Sequence, residues 1–320
     1  MKKIAIGASL LLCLATALTG CANTEESKES TQVENNVEED KKEVSEKIFA
    51  EFTKKLESNN TIELKKFILD NIDKADEETA DKMVMKYEVL LKDNFYKLFD
   101  KFNSMEYFNA VNDTMDESYK LNLESIKDEN IKKEVMDAVA SGYTFEMLEG
   151  SYYLAMDYSM INDTFATYLS ERLKPYYELK KKELENPTFV EEYVSIDFEE
   201  IKDRAVMLEK VIRENKDFEN KDDLKNMMRW YVEALLRIDH FSNVVDYETG
   251  KVDDIVKNTY EELKASDLKI LKYVSQEMDN LLSEYEYVLK VDDKEAAKKV
   301  NNLKFKLSDE VSKKIEEYYY

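Results

Sequence analysis

Residues 83–102 read MVMKYEVLLKDNFYKLFDKF, and this stretch decides the fold class. From Met83 onward its large apolar side chains recur every three or four residues, which is the spacing of one face of an amphipathic helix. These side chains are Tyr87, Leu90, Leu91, Leu98, Phe99 and Phe102. The pattern predicts a long helix that buries one face against the rest of the protein.

Two segments near the C-terminus have a similar spacing, close to a heptad repeat. Their core positions are Leu268, Leu271, Ser275, Met278, Leu282, Tyr285 and Leu289 in the first, and Ala296, Val300, Leu303, Leu307, Val311, Ile315 and Tyr318 in the second. Because the short stretch Val291-Asp292-Asp293 separates them, we expect an antiparallel pair of helices.

Three polar pairs have the spacing of a capping box. In this motif the side chain of the first residue accepts a hydrogen bond from a backbone N–H of the first helical turn, and an acid three residues later accepts one from the backbone N–H of the first residue. The pairs are Asn60 with Glu63, Asp197 with Glu200, and Asp292 with Glu295. Each pair predicts the start of a helix.

Glycine and proline are scarce, with five Gly and two Pro in 320 residues. Outside the first 20 residues, only Gly142, Gly150 and Gly250 remain to shape turns. β-Sandwiches, Rossmann domains and P-loop enzymes each need several glycines at tight turns or phosphate loops. The composition therefore favours an all-α protein, built as a multi-helix bundle.

The helical pattern stops between Asn186-Pro187 and Ser195. Two short pieces in this interval, Phe189-Val190 and Tyr193-Val194, have the composition of extended chain. The interruption indicates that the helical domain, residues 46–320, consists of two sub-bundles, 46–186 and 197–320, that share one interface.

The first 20 residues have the features of a secretory signal, with Lys2 and Lys3 ahead of an apolar run too short to span a membrane. The segment ends in Leu18-Thr19-Gly20-Cys21, which resembles the lipobox of bacterial lipoproteins. The resemblance implies that Cys21 receives a diacylglycerol thioether and becomes the mature N-terminus. The alternative is an ordinary secretory signal with a chance cysteine.

A diacylglycerol on Cys21 would anchor the chain in the cell membrane, on its extracytoplasmic face, because two acyl chains give stable attachment. Cys13 leaves with the signal, so neither a disulfide nor thiol catalysis is expected. The following residues, 22–45, contain no aromatic residue, Gly or Pro and more acids than lysines. Such a segment cannot bury enough apolar surface to fold, so we expect a disordered linker over residues 21–45, with helix near its end from Asp40 to Glu46.

The formal charge is −23, and it becomes −25 once Lys2 and Lys3 leave with the signal. Nucleic acid and anionic lipid headgroups are poor partners for such a chain. The sequence has no Asp-x-Asp-x-Asp-Gly calcium loop, so we expect no metal site and no cofactor.

Three unusual segments occupy the middle of the chain. GYTFEMLEGSYY (142–153) is followed at once by Asp157-Tyr158, IDFEEI (196–201) precedes Arg204 and Glu209, and DYETGK (246–251) follows His240. Over residues 140–255 this order resembles a group of surface lipoproteins of Gram-positive bacteria whose function is not established. The resemblance carries over no catalytic residues.

The glycines at 142 and 150 flank several aromatic residues. A chain so poor in glycine places one where the backbone needs a conformation that other residues resist. We therefore expect residues 142–158 to form a structured, partly buried junction.

One interpretation of the central region is a binding cleft with aromatic walls and a few convergent charges. Its candidate residues are Glu149, Tyr152, Tyr153, Asp157, Arg204, Arg237 and His240. The alternative is that the tyrosines lie at the edge of the core and the acids pair internally with Arg204 or Arg237. His240, beside Asp239, has the chemistry of a general base, but without a nucleophile motif a capping or surface role fits it better.

These features favour a non-enzymatic interaction or structural module with a protein or cell-wall partner, and no catalytic residue is assigned. One alternative is a binding protein for a small solute or a peptide. A second is a hydrolase that uses paired carboxylates, although no spacing in the sequence supports it.

Overall fold

The structure, a computed structural model, describes residues 26–116, 121–148, 151–191, 193–239, 243–290 and 292–320, with side chains from Asp40 onward apart from that of Leu148. It is 71% helical, and the described part contains twelve α-helices and two small two-stranded sheets. The prediction of an all-α protein is confirmed.

The first half contains seven helices and one pair of strands. These are α1 (Glu26–Leu56), α2 (Thr61–Asn71), α3 (Glu77–Phe102), α4 (Met105–Asn112), α5 (Glu129–Ser141), β1 (Tyr143–Leu148), β2 (Ser151–Met156), α6 (Tyr158–Phe165) and α7 (Lys174–Glu185), with 3₁₀ turns at Ile72–Lys74, Leu123–Ser125 and Ala166–Tyr168. The long helix predicted from residues 83–102 is α3. Its buried face includes Met83, Tyr87, Leu90, Leu91 and Phe102.

The backbone of α1 is helical from Glu26, and so through most of the segment for which the composition predicts a linker. The packed part of α1 lies further along, where Ser45, Ile48 and Phe52 are buried and the helix contacts α2 and α3. The predicted helix at Asp40 to Glu46 is thus confirmed.

Residues 142–148 and 151–158 are structured and partly buried, as predicted, but they contain a pair of antiparallel strands that the sequence analysis does not anticipate. Gly142 ends α5 with a φ of 108°, a conformation that favours glycine. β1 and β2 then pair antiparallel. Every second side chain of β2 is buried, namely Tyr152, Leu154 and Met156. Gly150 lies outside the described residues.

The second half starts with two short strands and continues with five helices. These are β3 (Phe189–Val190), β4 (Tyr193–Val194), α8 (Phe198–Glu214), α9 (Lys221–Leu235), α10 (Asp254–Ala265), α11 (Lys269–Glu284) and α12 (Lys294–Tyr319). The antiparallel pairing of β3 with β4 confirms the two extended pieces predicted at the interruption.

The two C-terminal helices, α11 and α12, pack antiparallel as predicted. Polar contacts join Glu284 to Lys299 at one end and Tyr273 to Glu310 further along. α12 also packs on α9 and α8. The pattern is slightly wrong at the end of α12, where Tyr319 and not Tyr318 is buried.

The three predicted helix starts are correct to within one residue, but of the three named caps only Asn60 makes the capping bond, and its own N–H donates to Ser58 (3.4 Å) and not to Glu63. Asn60 accepts the expected hydrogen bond from the backbone N–H of Glu63 (3.2 Å). Asp197 stands at the cap position of α8 but its side chain makes no capping bond, and Glu200 pairs with Arg204 instead. At α12 the cap is Asp293, one residue later than predicted.

The two halves are in contact with each other. α7 packs on both α6 and α8, and Lys92 on α3 binds Glu88 (2.7 Å) and also Asp223 on α9. The division into two sub-bundles stays a prediction.

None of the described helices is both long enough and apolar enough to cross a membrane.

Candidate functional site

The predicted cleft residues have separate sets of contacts, and two of them, Glu149 and His240, lie outside the described residues. Tyr152 is buried and donates a hydrogen bond to the carbonyl of Phe102 (2.6 Å). Burial raises the pKa of Tyr152 to about 12, so its hydroxyl remains a hydrogen-bond donor near neutral pH. Tyr153, the next residue, is partly exposed on the other face of β2.

Asp157 and Arg237 hold local structure. Asp157 caps α6 by accepting a hydrogen bond from the backbone N–H of Met160 (2.7 Å). The guanidinium of Arg237 lies over the ring of Phe189 at 5.9 Å and within 3.8 Å of Asp239. These contacts give Asp157 and Arg237 different surroundings.

Arg204 is 2% exposed and ties α7 to α8. Its guanidinium donates to Glu183 (2.7 Å), to Glu200 (2.9 Å) and to the carbonyl of Asn186 (2.9 Å). The internal pairing of acids with Arg204 that the sequence leaves as an alternative is therefore present.

The start of α8 and the residues that flank the DYETGK turn line one groove. The acidic start of α8 faces the chain around the DYETGK turn across a groove of about 290 Å³, here called the α8–α10 groove. Its lining residues are Val194, Ile196, Asp197, Phe198, Glu199, Ile201, Ala234, Asn243, Val244, Asp253 and Ile255. The sequence marks each segment as unusual, but nothing in it shows that the two are neighbours.

The turn beside the groove is held by its own hydrogen bonds. The carboxylate of Asp246 accepts from the backbone N–H and the hydroxyl of Thr249 (both 2.7 Å), and these bonds lower the pKa of Asp246. Gly250 has a φ of 71°, and a Cβ there would lie 2.5 Å from the carbonyl oxygen of Leu289. Gly250 also accepts a hydrogen bond from the N–H of Leu289 (2.7 Å). Asp246, Thr249 and Gly250 therefore hold the shape of the turn beside the groove.

The groove has an apolar floor and an acidic rim. Phe198, Ile201, Ala234 and Val244 are buried beneath it, and Phe198 packs edge-on against Tyr260 of α10. The three rim carboxylates, Asp197, Glu199 and Asp253, are exposed.

The rim carboxylates differ in how they are used. Asp253 caps α10 by accepting a hydrogen bond from the N–H of Ile255 (2.9 Å). Asp197 and Glu199 make no salt bridge with any described residue. Acids favour the first turn of a helix, so part of their role is to stabilise α8. Their outward sides remain available to a ligand.

The described residues contain no group of three or more His, Cys, Asp or Glu side chains placed to hold a metal ion. The lining of the α8–α10 groove offers a ligand apolar contact and carboxylates that accept hydrogen bonds or form ion pairs.

A second cluster of polar residues lies in the interior and has a structural role. Glu88 is 2% exposed and accepts hydrogen bonds from the hydroxyls of Tyr158 (2.9 Å), Tyr176 (2.7 Å) and Tyr177 (3.1 Å). Burial holds the pKa of these three tyrosines well above the ordinary value. The cluster is satisfied by its own members, and the sequence analysis missed it because its residues come from distant helices.

Comparisons with protein families, with curated proteins and with solved structures find no match to this chain.

Proposed function

We propose that the chain is a lipid-anchored interaction protein on the extracytoplasmic face of the cell membrane, and that it holds a protein partner in the α8–α10 groove. The signal-like N-terminus and the lipobox ending in Cys21 support the anchor.

The observation that carries the proposal is the contrast between the groove and the interior. Buried Glu88 and half-buried Glu183 are engaged by hydroxyls or guanidinium groups of the chain itself. Asp197 and Glu199 instead face solvent beside an apolar floor, which is the composition of a docking surface with a polar rim.

Site-specific photo-crosslinking in intact cells tests this function. A photoreactive residue replaces Asn243, which is exposed in the groove, or Asn109, which is exposed on α4 and serves as the matched control. We expect a protein adduct from position 243 and none of the same mass from position 109. Equal adducts at both positions, or none at either, would contradict a binding role for the groove.

A second variant in the same cells tests the anchor. Cys21→Ser should release the chain to the medium or leave the signal uncleaved, because the thioether cannot form. If a processed Cys21→Ser chain stays with the membrane fraction, the lipoprotein proposal is wrong, whatever the cross-linking shows.

A further inference from the structure

The α8–α10 groove combines two features that select a ligand together. Its lining includes Val194, Ile196, Ile201, Val244 and Ile255, which offer aliphatic contact, and no Lys or Arg is among the lining residues. Its charged lining residues are all acids. An occupant therefore needs an apolar part for the floor and positive charge for the rim.

The rim remains negatively charged when the partial positive charges of the helix N-termini are included. The first turns of α8 and α10 both border the groove, and a helix N-terminus carries roughly half a positive charge. Against the three carboxylates of Asp197, Glu199 and Asp253, two such termini leave about two negative charges. The groove thus repels anions and attracts cations.

The charge of the rim disfavours two occupants that the chain itself could supply. The N-terminal segment 22–45 has more acids than lysines, and a second copy of the chain would bring a formal charge of −23 or lower. Both would be repelled at the rim. A segment of another protein with basic residues meets no such obstacle.

We propose that the α8–α10 groove binds a partner segment in which an aliphatic side chain is flanked by Lys or Arg. The aliphatic side chain enters between Ile196 and Ile255, and the basic side chains pair with Glu199 and Asp197. This inference rests on the proposed function and specifies the chemistry of the partner.

The groove is built to receive such a segment without rearrangement. The backbone N–H of Asp253 donates to the carbonyl of Val244 (2.8 Å), and the turn at Gly250 is fixed against Leu289. A rim held in place before binding loses little conformational entropy when the ligand arrives.

Fluorescence anisotropy with defined peptides tests the inference on the purified chain. The probe is a fluorescein-labelled, C-terminally amidated Lys-Lys-Leu-Lys-Lys, and the comparison peptide is Lys-Lys-Gly-Lys-Lys. We expect Glu199→Lys to weaken binding of the leucine peptide at least about tenfold, since it replaces an attractive contact by a repulsive one. The glycine peptide should bind unmodified chain at least about fivefold more weakly, because it leaves the apolar floor uncovered.

Glu129→Lys is the matched control, because Glu129 is also an exposed acid in the first turn of a helix but lies on α5. It changes the net charge equally and should alter affinity less than about twofold. Equal losses in Glu199→Lys and Glu129→Lys would show attraction to net charge only and would overturn the proposal. Equal binding of the two peptides would overturn it as well.

Further measurements separate a loss of peptide binding from a loss of stability, from dimer formation and from a failure of the proposed function. If Glu199→Lys melts at a lower temperature than Glu129→Lys, the pair Glu199→Gln and Glu129→Gln replaces them with the same expected order. Sedimentation that shows a dimer lost in Glu199→Lys would assign the groove to a second copy and overturn the inference. A cross-link from position 243 that persists without peptide binding would overturn the partner chemistry and leave the proposed function standing.

Discussion

The two ends of helix α8 use the same amino acid in opposite ways. Near its C-terminal end Glu209 is 0% exposed, and its carboxylate accepts hydrogen bonds from the backbone N–H groups of Ile270 (2.7 Å) and Leu271 (2.9 Å). It also accepts one from the hydroxyl of Tyr319. Near the other end Glu199 is exposed in the groove and has no ion-pair partner among the described residues.

The difference lies in what packs against each end. At the Glu209 end the first turn of α11 and the end of α12 close over the carboxylate, which satisfies N–H groups that the α11 helix cannot satisfy itself. At the Glu199 end the chain turns away to form the groove. One helix thus anchors the C-terminal hairpin at one end and presents charge at the other.

The largest effect should come from removing the buried carboxylate. Glu209→Ala leaves two buried N–H groups and one buried hydroxyl without acceptors, and we expect it to lower the free energy of unfolding by about 3–5 kcal/mol. Urea denaturation of the purified chain measures this. Glu199→Ala, at the exposed end, should change the same quantity by less than about 0.5 kcal/mol. Similar losses in both variants would remove the distinction between the two ends.

A smaller effect should come from the turn at Gly250, which lies beside the groove. Gly250→Ala places a Cβ 2.5 Å from the carbonyl oxygen of Leu289, in a backbone conformation with φ of 71°. We expect a loss of about 2–3 kcal/mol in unfolding free energy, because backbone and not a flexible side chain must move. Thermal or urea denaturation of the variant and the unmodified chain measures this loss. A variant as stable as the unmodified chain would mean that this turn is free to shift.

The sequence predicts the parts of this fold that depend on local pattern. The periodicity of residues 83–102 and of the C-terminal segments predicts α3, α11 and α12 because helical spacing is a property of neighbouring residues. The short strands β3 and β4 are also predicted from neighbouring residues, because the composition of extended chain is a local property. The strand pair β1–β2 is missed, since each strand is only six residues long and the alternation of buried side chains in β2 is too short to stand out in the sequence.

The parts that depend on distant residues could not be predicted. Glu209 and Glu199 belong to one acidic segment in the sequence. Glu209 has a structural role only because α11 and α12 pack over it. The predicted box at Asp197 fails because Glu200 pairs with Arg204 one turn further along α8, and the guanidinium of Arg204 is itself held by Glu183 of α7. The groove forms from segments some fifty residues apart, around 197 and 250, and no local sequence pattern predicts that these segments are neighbours.

The subtlest expected difference between the ends of α8 is in pH dependence. Burial raises the pKa of Glu209 above its ordinary value of 4.5, although the hydroxyl of Tyr319 and the N–H groups of Ile270 and Leu271 act in the opposite direction. The folded chain therefore keeps a proton on Glu209 at a pH where the unfolded chain has lost it. The free energy of unfolding should then fall as pH rises from 4.5 toward the folded pKa, because the unfolded state gains more from ionisation. Glu209→Gln should remove this slope in urea titrations across that range, and Tyr319→Phe should extend it to higher pH by removing a donor that favours the ionised form. An unchanged slope in Glu209→Gln would show that another group controls the pH dependence.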